Sequence, residues 1–268
     1  MKFISLSRIA LATATLAAAS AQAAPLQNGS FNAGLTNWNT VGDAAVVVGT
    51  AAGHNFGTGS TLVLGTASKT AQDDSPAAAG AYNASGTSAA MAAQPNGAEA
   101  NLGLGADAFA SSSGAADAYE ASSAAQSFFV NAGDTIRFTW QVLTRDSFAG
   151  NGDSASDSAW VSFSLATDPQ QAGVITQTKL GDIGTLALGA NADGWQVTGL
   201  NTFTFTATTS GTARLGWGVA DIGDATGTTL LAIQNVSVQT AVPEPASVAL
   251  LLAALGVIGL STLRRSRD

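Results

Sequence analysis

The chain has 268 residues, no cysteine, one histidine and a formal net charge of −8. The absence of thiols excludes disulfide frameworks, cysteine nucleophiles and thiolate metal sites, and a lone His54 excludes a multi-histidine zinc centre. Between the two terminal segments, sixteen acids face five bases (Lys69, Arg137, Arg145, Lys179 and Arg214), a net charge near −11 that excludes nucleic acid as a partner and repels anionic lipid.

Residues 1–23 read as a secretory signal peptide. Lys2 and Arg8 supply a positive start, Ile9–Ala19 an apolar stretch, and Ala21-Gln22-Ala23 a small-x-small cleavage site. The exported chain is therefore expected to begin at Ala24, after passage through the Sec translocon and cutting by signal peptidase.

Residues 24–240 read as one ectodomain. Its opening, Asn28-Gly-Ser-Phe31 and then Gly34-Leu-Thr-Asn-Trp38, separates apolar residues with turn formers. Short strand-like runs follow at Ala44–Gly49 and Thr61–Leu64. His54, in Ala-Ala-Gly-His-Asn-Phe-Gly, is expected in an exposed loop. Residues 66–127 are rich in Ala, Ser and Gly, with Tyr82, Phe109 and Tyr119 as the only aromatics. So few large side chains predict a loop-like insertion with two weak strands, Ala98–Gly103 and Ser122–Val130.

From Ser127 the signal strengthens. Phe128-Phe129-Val130 leads into the turn Asn131-Ala-Gly-Asp134. Ile136, Phe138, Trp140 and Val142 then alternate with Thr135, Arg137, Thr139 and Gln141, the period of a half-buried strand. Trp160–Leu165, Trp195–Thr208, Thr212–Ala220 and Leu230–Val238 read as further strands. The expected fold is all-β: an antiparallel, jelly-roll-like β-sandwich of about eight to ten strands.

The chain ends in three consecutive devices. Val242-Pro243-Glu244-Pro245 fixes the backbone and removes amide donors. Ala246–Leu263 contains 18 uncharged residues, ~27 Å of helix and enough to span a hydrocarbon core. Arg264, Arg265 and Arg267 then form a basic stop expected on the cytoplasmic side.

Residues 241–268 resemble the PEP-CTERM sorting signal of Gram-negative bacteria, in which a Pro-Glu-Pro motif, a transmembrane helix and an Arg-rich end follow in that order. Pro243, Glu244 and Pro245, the apolar run and the three arginines supply them here. The resemblance implies recognition by an exosortase-type membrane protease, transient anchoring in the inner membrane, and a final place at the cell surface or outside the cell. It also implies an organism that makes exopolysaccharide or a biofilm matrix.

A second resemblance, to galactose-binding-like and carbohydrate-binding β-sandwich domains, rests on Asn28-Gly-Ser-Phe31, Gly34–Trp38 and the closing Leu230–Val238. Gln234 stands where those domains often carry Asp, beside a strand that in the family lies near a structural calcium.

Candidate chemistry is sparse. Asp146, Asn151, Asp153 and Asp157 form the densest set of oxygen donors, suited by type to calcium, although their spacing is not that of an EF-hand loop. Trp38 and Trp195 sit beside turns, where a flat exposed ring could stack on sugar, although anchoring in the core is the favoured reading for each. The ectodomain holds only two glutamates, Glu99 and Glu120, and no acid pair specific enough to mark a glycosidase. The expectation is a non-enzymatic exported protein that needs no cofactor beyond an optional structural calcium. Its body is expected to associate with exopolysaccharide; a sugar- or calcium-binding module is the alternative, ahead of a carbohydrate-active enzyme.

Overall fold

The computed structural model describes residues 24–67, 82–91, 96–114, 117–145, 157–167, 173–190, 194–223 and 227–241. The signal peptide, the Pro-Glu-Pro motif, the apolar run and the arginines lie outside the described residues. Among those described, no helix is long and apolar enough to cross a membrane.

The body is an antiparallel β-sandwich. Its first sheet contains β1 (Asn39–Val41), β4 (Ala90–Met91), β5 (Ala118–Val130), β7 (Ser158–Ala166), β8 (Val174–Asp182) and β12 (Gly211–Ile222). The order is β1-β5-β12-β7-β8, with β4 also on β5. The second sheet contains β2 (Asp43–Ala51), β3 (His54–Gly65), β6 (Thr135–Thr144), β9 (Leu188–Ala190), β10 (Gln196–Thr198), β11 (Asn201–Thr206) and β13 (Thr229–Gln239). Its order is β2-β3-β13-β6-β10-β9, with β11 also on β6. These thirteen described strands exceed the expected eight to ten, because β1, β4, β8 and β9 carry no strong alternation and Trp195–Thr208 divides into β10 and β11 at Gly199-Leu200.

Alternation decides which side chains meet between the sheets. Phe128, Val130, Val161, Phe163, Leu215, Trp217 and Val219 from the first sheet meet Leu62, Leu64, Ile136, Phe138, Val142, Leu231 and Ile233 from the second. Trp217 is fully buried, 5.0 Å from Trp38 and edge-on to Phe138 at 5.2 Å. Each such side chain contributes roughly 1.5–3 kcal/mol by leaving water.

One expectation for residues 66–127 is corrected. Ala98–Gly103 is not a strand: Ala98–Asn101 forms a short helix, α1, followed by α2 (Ala108–Ser113). The free edge of β5 is already taken by β1 and β4, so this segment lies on the outer face of the first sheet. There Ala98, Leu102 and Phe109 pack with Ala121, Ala125, Trp160 and Ile222 in a second core. The other expected strand, Ser122–Val130, is present within the longer β5, an interior strand paired with β12 along most of its length. Its small residues do not weaken burial; they make room for large ones. A Cβ on Gly216 would lie 2.5 Å from Leu102, and one on Gly218 2.7 Å from Phe109.

Candidate functional site

The two ends of the ectodomain converge. The Ala24 carbonyl accepts a hydrogen bond from Phe129 N–H at 3.0 Å, and Gln27 N–H donates to Gln126 Oε1 at 2.7 Å. At the other terminus, Ala241 N–H donates to Asp134 Oδ1 at 3.0 Å. Asp134 closes the β5–β6 turn, where its Oδ2 accepts Asn131 N–H at 2.8 Å. Burial would raise this carboxyl, but the amides of Asn131 and Ala241, with the Asn131 side chain, hold it below the ordinary carboxylate range. Asp134 therefore fixes the last described residue before the Pro-Glu-Pro segment.

The opening motif explains itself locally. Asn28 adopts a left-handed φ of 50°, and its side chain donates to the Gly34 and Thr36 carbonyls while accepting Ala33 N–H. Gly29 then passes so close to β13 that a Cβ would meet the Val236 carbonyl oxygen at 2.1 Å. Its own carbonyl accepts Val236 N–H at 3.0 Å. The two stretches that carry the carbohydrate-module resemblance, far apart in sequence, thus touch. Gln234 donates to the Phe56 carbonyl and the Thr61 hydroxyl; a carboxylate at this position could accept from the hydroxyl but would repel the carbonyl.

Neither proposed stacking ring is an exposed platform. Trp38 is 6% exposed, lies 5.4 Å from Phe31, and donates its indole N–H to the Asn28 carbonyl. Trp195 is 2% exposed, edge-on to Tyr82, with the Arg145 guanidinium 5.3 Å from its ring centre. Both rings are core anchors, and neither offers the flat exposed face that a sugar platform needs. Trp38 nevertheless lines a shallow groove of mixed polar and apolar surface, together with Gln27, Asn37, Asn39, Gln126 and Arg214. Arg214 is half-buried, donates to the Asn101 carbonyl, and has its pKa lowered by that burial.

His54 begins β3 and is only partly exposed, edge-on to Phe56 at 4.8 Å, so the loop expectation is corrected there as well. Of the proposed calcium donors, Asp146, Asn151 and Asp153 lie outside the described residues. Asp157 is buried; its Oδ1 accepts Ile222 N–H at 3.2 Å and its Oδ2 accepts the Thr229 hydroxyl. Among the described residues, no three His, Cys, Asp or Glu side chains gather around a common point for a metal ion. Glu99 is also buried and accepts the N–H groups of Asp107 and Phe109, each at 2.8 Å. Burial raises its pKa despite these bonds. Sequence reading missed Glu99 and Asp134 as structural acceptors, because both roles depend on contacts made only after folding.

Residues 241–266 match the PEP-CTERM protein-sorting motif, and the chain carries that motif. The motif marks an exported protein that is anchored transiently in the membrane and processed by an exosortase, itself a membrane protein. Among curated proteins, none matches the chain.

Solved structures similar to the chain include TmCBM61 in complex with beta-1,4-galactotriose, at 8% identity and a TM-score of 0.37, covering 83% of this chain and 100% of that one. The N-terminal cellulose-binding domain from Cellulomonas fimi beta-1,4-glucanase C is 13% identical, with a TM-score of 0.35 and coverage of 83% and 100%. The K3 cleaved adhesin domain of Lys-gingipain from Porphyromonas gingivalis W83 is 10% identical, with a TM-score of 0.39 and coverage of 81% and 100%.

Proposed function

We propose that this is a non-enzymatic surface or matrix protein whose β-sandwich is delivered outside the cell and associates there with exopolysaccharide in a biofilm. Sec-dependent export and signal-peptidase cutting before Ala24 begin its route; exosortase cutting near Pro243-Glu244-Pro245 ends it at the cell surface or in the medium. The sorting motif at residues 241–266 carries this reading. The poverty of catalytic groups supports it: one histidine, no cysteine, and a buried Glu99 already engaged by two backbone amides.

The test is replacement of Pro243-Glu244-Pro245 by alanines in a cell that contains the protease. A longer, membrane-retained form is expected by fractionation and intact mass. Unchanged trimming and release would overturn the sorting part of the proposal.

Carbohydrate binding is the narrower reading, favoured by the groove beside Trp38. The Asn37 and Asn39 side-chain amides that line it match the neutral hydroxyls of a polysaccharide, while the acidic body disfavours anionic ones. Tryptophan fluorescence titrated with neutral polysaccharides is expected to shift without release of reducing ends. Release of reducing sugar would overturn the non-enzymatic assignment.

A further inference from the structure

One end of the sandwich gathers both termini into a single hydrogen-bonded patch. Gly133 N–H donates to the Ala207 carbonyl at 2.7 Å, and Ala207 N–H donates to the Asp134 carbonyl at 2.8 Å. Ala132 N–H donates to the Ser210 hydroxyl at 2.9 Å, and Asp134 holds Ala241. Ala24 docks on neighbouring Phe129. Across Ala24–Pro25, Asn131–Asp134, Ala207–Ser210 and Thr240–Ala241, the only ionisable side chain is Asp134, buried with both oxygens engaged, and the β7–β8 connection, which starts at this end with Thr167 beside Gly211, adds one acid in its sequence, Asp168.

The opposite end differs. It is set by the start of β5, the end of β12 and the start of β7, and it carries Asp117, Glu120, Asp157 and Asp221, with Asp43 where β2 meets the end of β3. At ~3.3 Å per residue, a strand the length of β5 separates the two ends by roughly 40 Å.

We propose that the patch around Asp134 and Ala241 is the surface that rests on anionic phospholipid headgroups while the C-terminal segment is still embedded. This rests on the sorting reading above. Only four residues, Val242–Pro245, lie between Ala241 and the apolar run, and fully extended they reach about 14 Å. The Asp134–Ala241 hydrogen bond keeps further slack from being drawn out of the domain. At physiological salt, charge repulsion decays over about 8 Å, so only the near end feels the lipid surface and the far carboxylates are screened from it. An acidic protein thereby meets a negative surface with the end that carries fewer carboxylates.

The absence of native cysteine allows a single fluorophore to be placed at Thr209→Cys, on the near end, or at Ala187→Cys, on the far end. Both positions are exposed. The full chain is reconstituted into vesicles of zwitterionic and anionic phospholipid bearing a headgroup quencher. Quenching at position 209 is expected to exceed that at 187 several-fold, and a Gly/Ser spacer of about a dozen residues after Ala241 is expected to abolish the contrast. Equal quenching at the two positions, in a chain that floats with the vesicles, would overturn the inference alone. A chain that does not float with them would remove the anchored stage on which it rests.

Discussion

The Phe109 ring lies flat against Trp160, with centroids 4.3 Å apart and planes 17° apart, and neither ring reaches solvent. This stack joins α2 to the outer face of the first sheet, and the indole N–H completes the junction by donating to the Ser112 hydroxyl at 2.9 Å. Phe109→Ala is expected to cost about 3–5 kcal/mol. Gly218→Ala is expected to cost about 1–3 kcal/mol, because its Cβ would be driven into the Phe109 ring. The double variant should lose less than the sum of the two, since removing the ring removes the collision. Urea denaturation of the four proteins measures this; strict additivity would mean that Phe109 does not occupy the space left by Gly218.

Asp43 offers a pH-dependent counterpart. Its two oxygens accept Ala84 N–H at 2.8 Å and Ser85 N–H at 2.7 Å, tying the segment at residues 82–89 to the start of β2. Burial pushes this carboxyl up despite those bonds. For an acid raised by folding, the favourable contribution is complete below its ordinary pKa and is lost as pH rises through the folded value. Asp43→Asn, which keeps one acceptor but cannot ionise, should therefore be most destabilising near about pH 3.5 and progressively less so toward neutrality. Parallel denaturation series at both pH values check the direction, and a deficit that widens with pH would contradict it.

The interior of this sandwich was legible because β6 and β12 place large apolar residues at every second position. The outer layers were not, since they pack by complementarity between small and large residues: Gly216 under Leu102, Gly218 under Phe109, Ala125 beside Trp160. Composition alone treats such glycines and alanines as a lack of core. A place beside a turn left Trp38 and Trp195 open to two readings, core anchor or sugar platform, and only the packing of the folded domain puts both in the core. The sorting segment was readable from order and spacing, but the fixing of its root was not. Asp134 and Ala241 are 107 positions apart, and only the pairing of β13 with β6 brings them together.

Asp134 reverses the sign found at Asp43. Its folded pKa is lowered, so its contribution is present above the ordinary carboxylate pKa and is lost as pH falls through the folded value. Asp134→Asn should remove that acid dependence while costing about 1–3 kcal/mol at neutral pH, in the range for hydrogen bonds to a charged group. Amide exchange at Ala241 should accelerate in the variant at neutral pH, and in the parent protein only after strong acidification. A slow Ala241 amide in Asp134→Asn would show that another acceptor holds the exit.

Stability and ligand binding should separate at the groove beside Trp38. Trp38 touches Phe31 and Trp217 and bonds to Asn28, so Trp38→Ala is expected to cost about 3–5 kcal/mol whether or not sugar is present. Asn39 is exposed, and only its backbone carbonyl is engaged by Asn101, so Asn39→Ala should change stability by no more than about 0.5 kcal/mol. If the groove receives polysaccharide, Asn39→Ala weakens binding by roughly tenfold, the loss of about one hydrogen bond, while its melting curve stays in place. Weakened binding only in variants that also melt earlier would assign the loss to unfolding, and unchanged affinity in Asn39→Ala would place the glycan elsewhere on the domain.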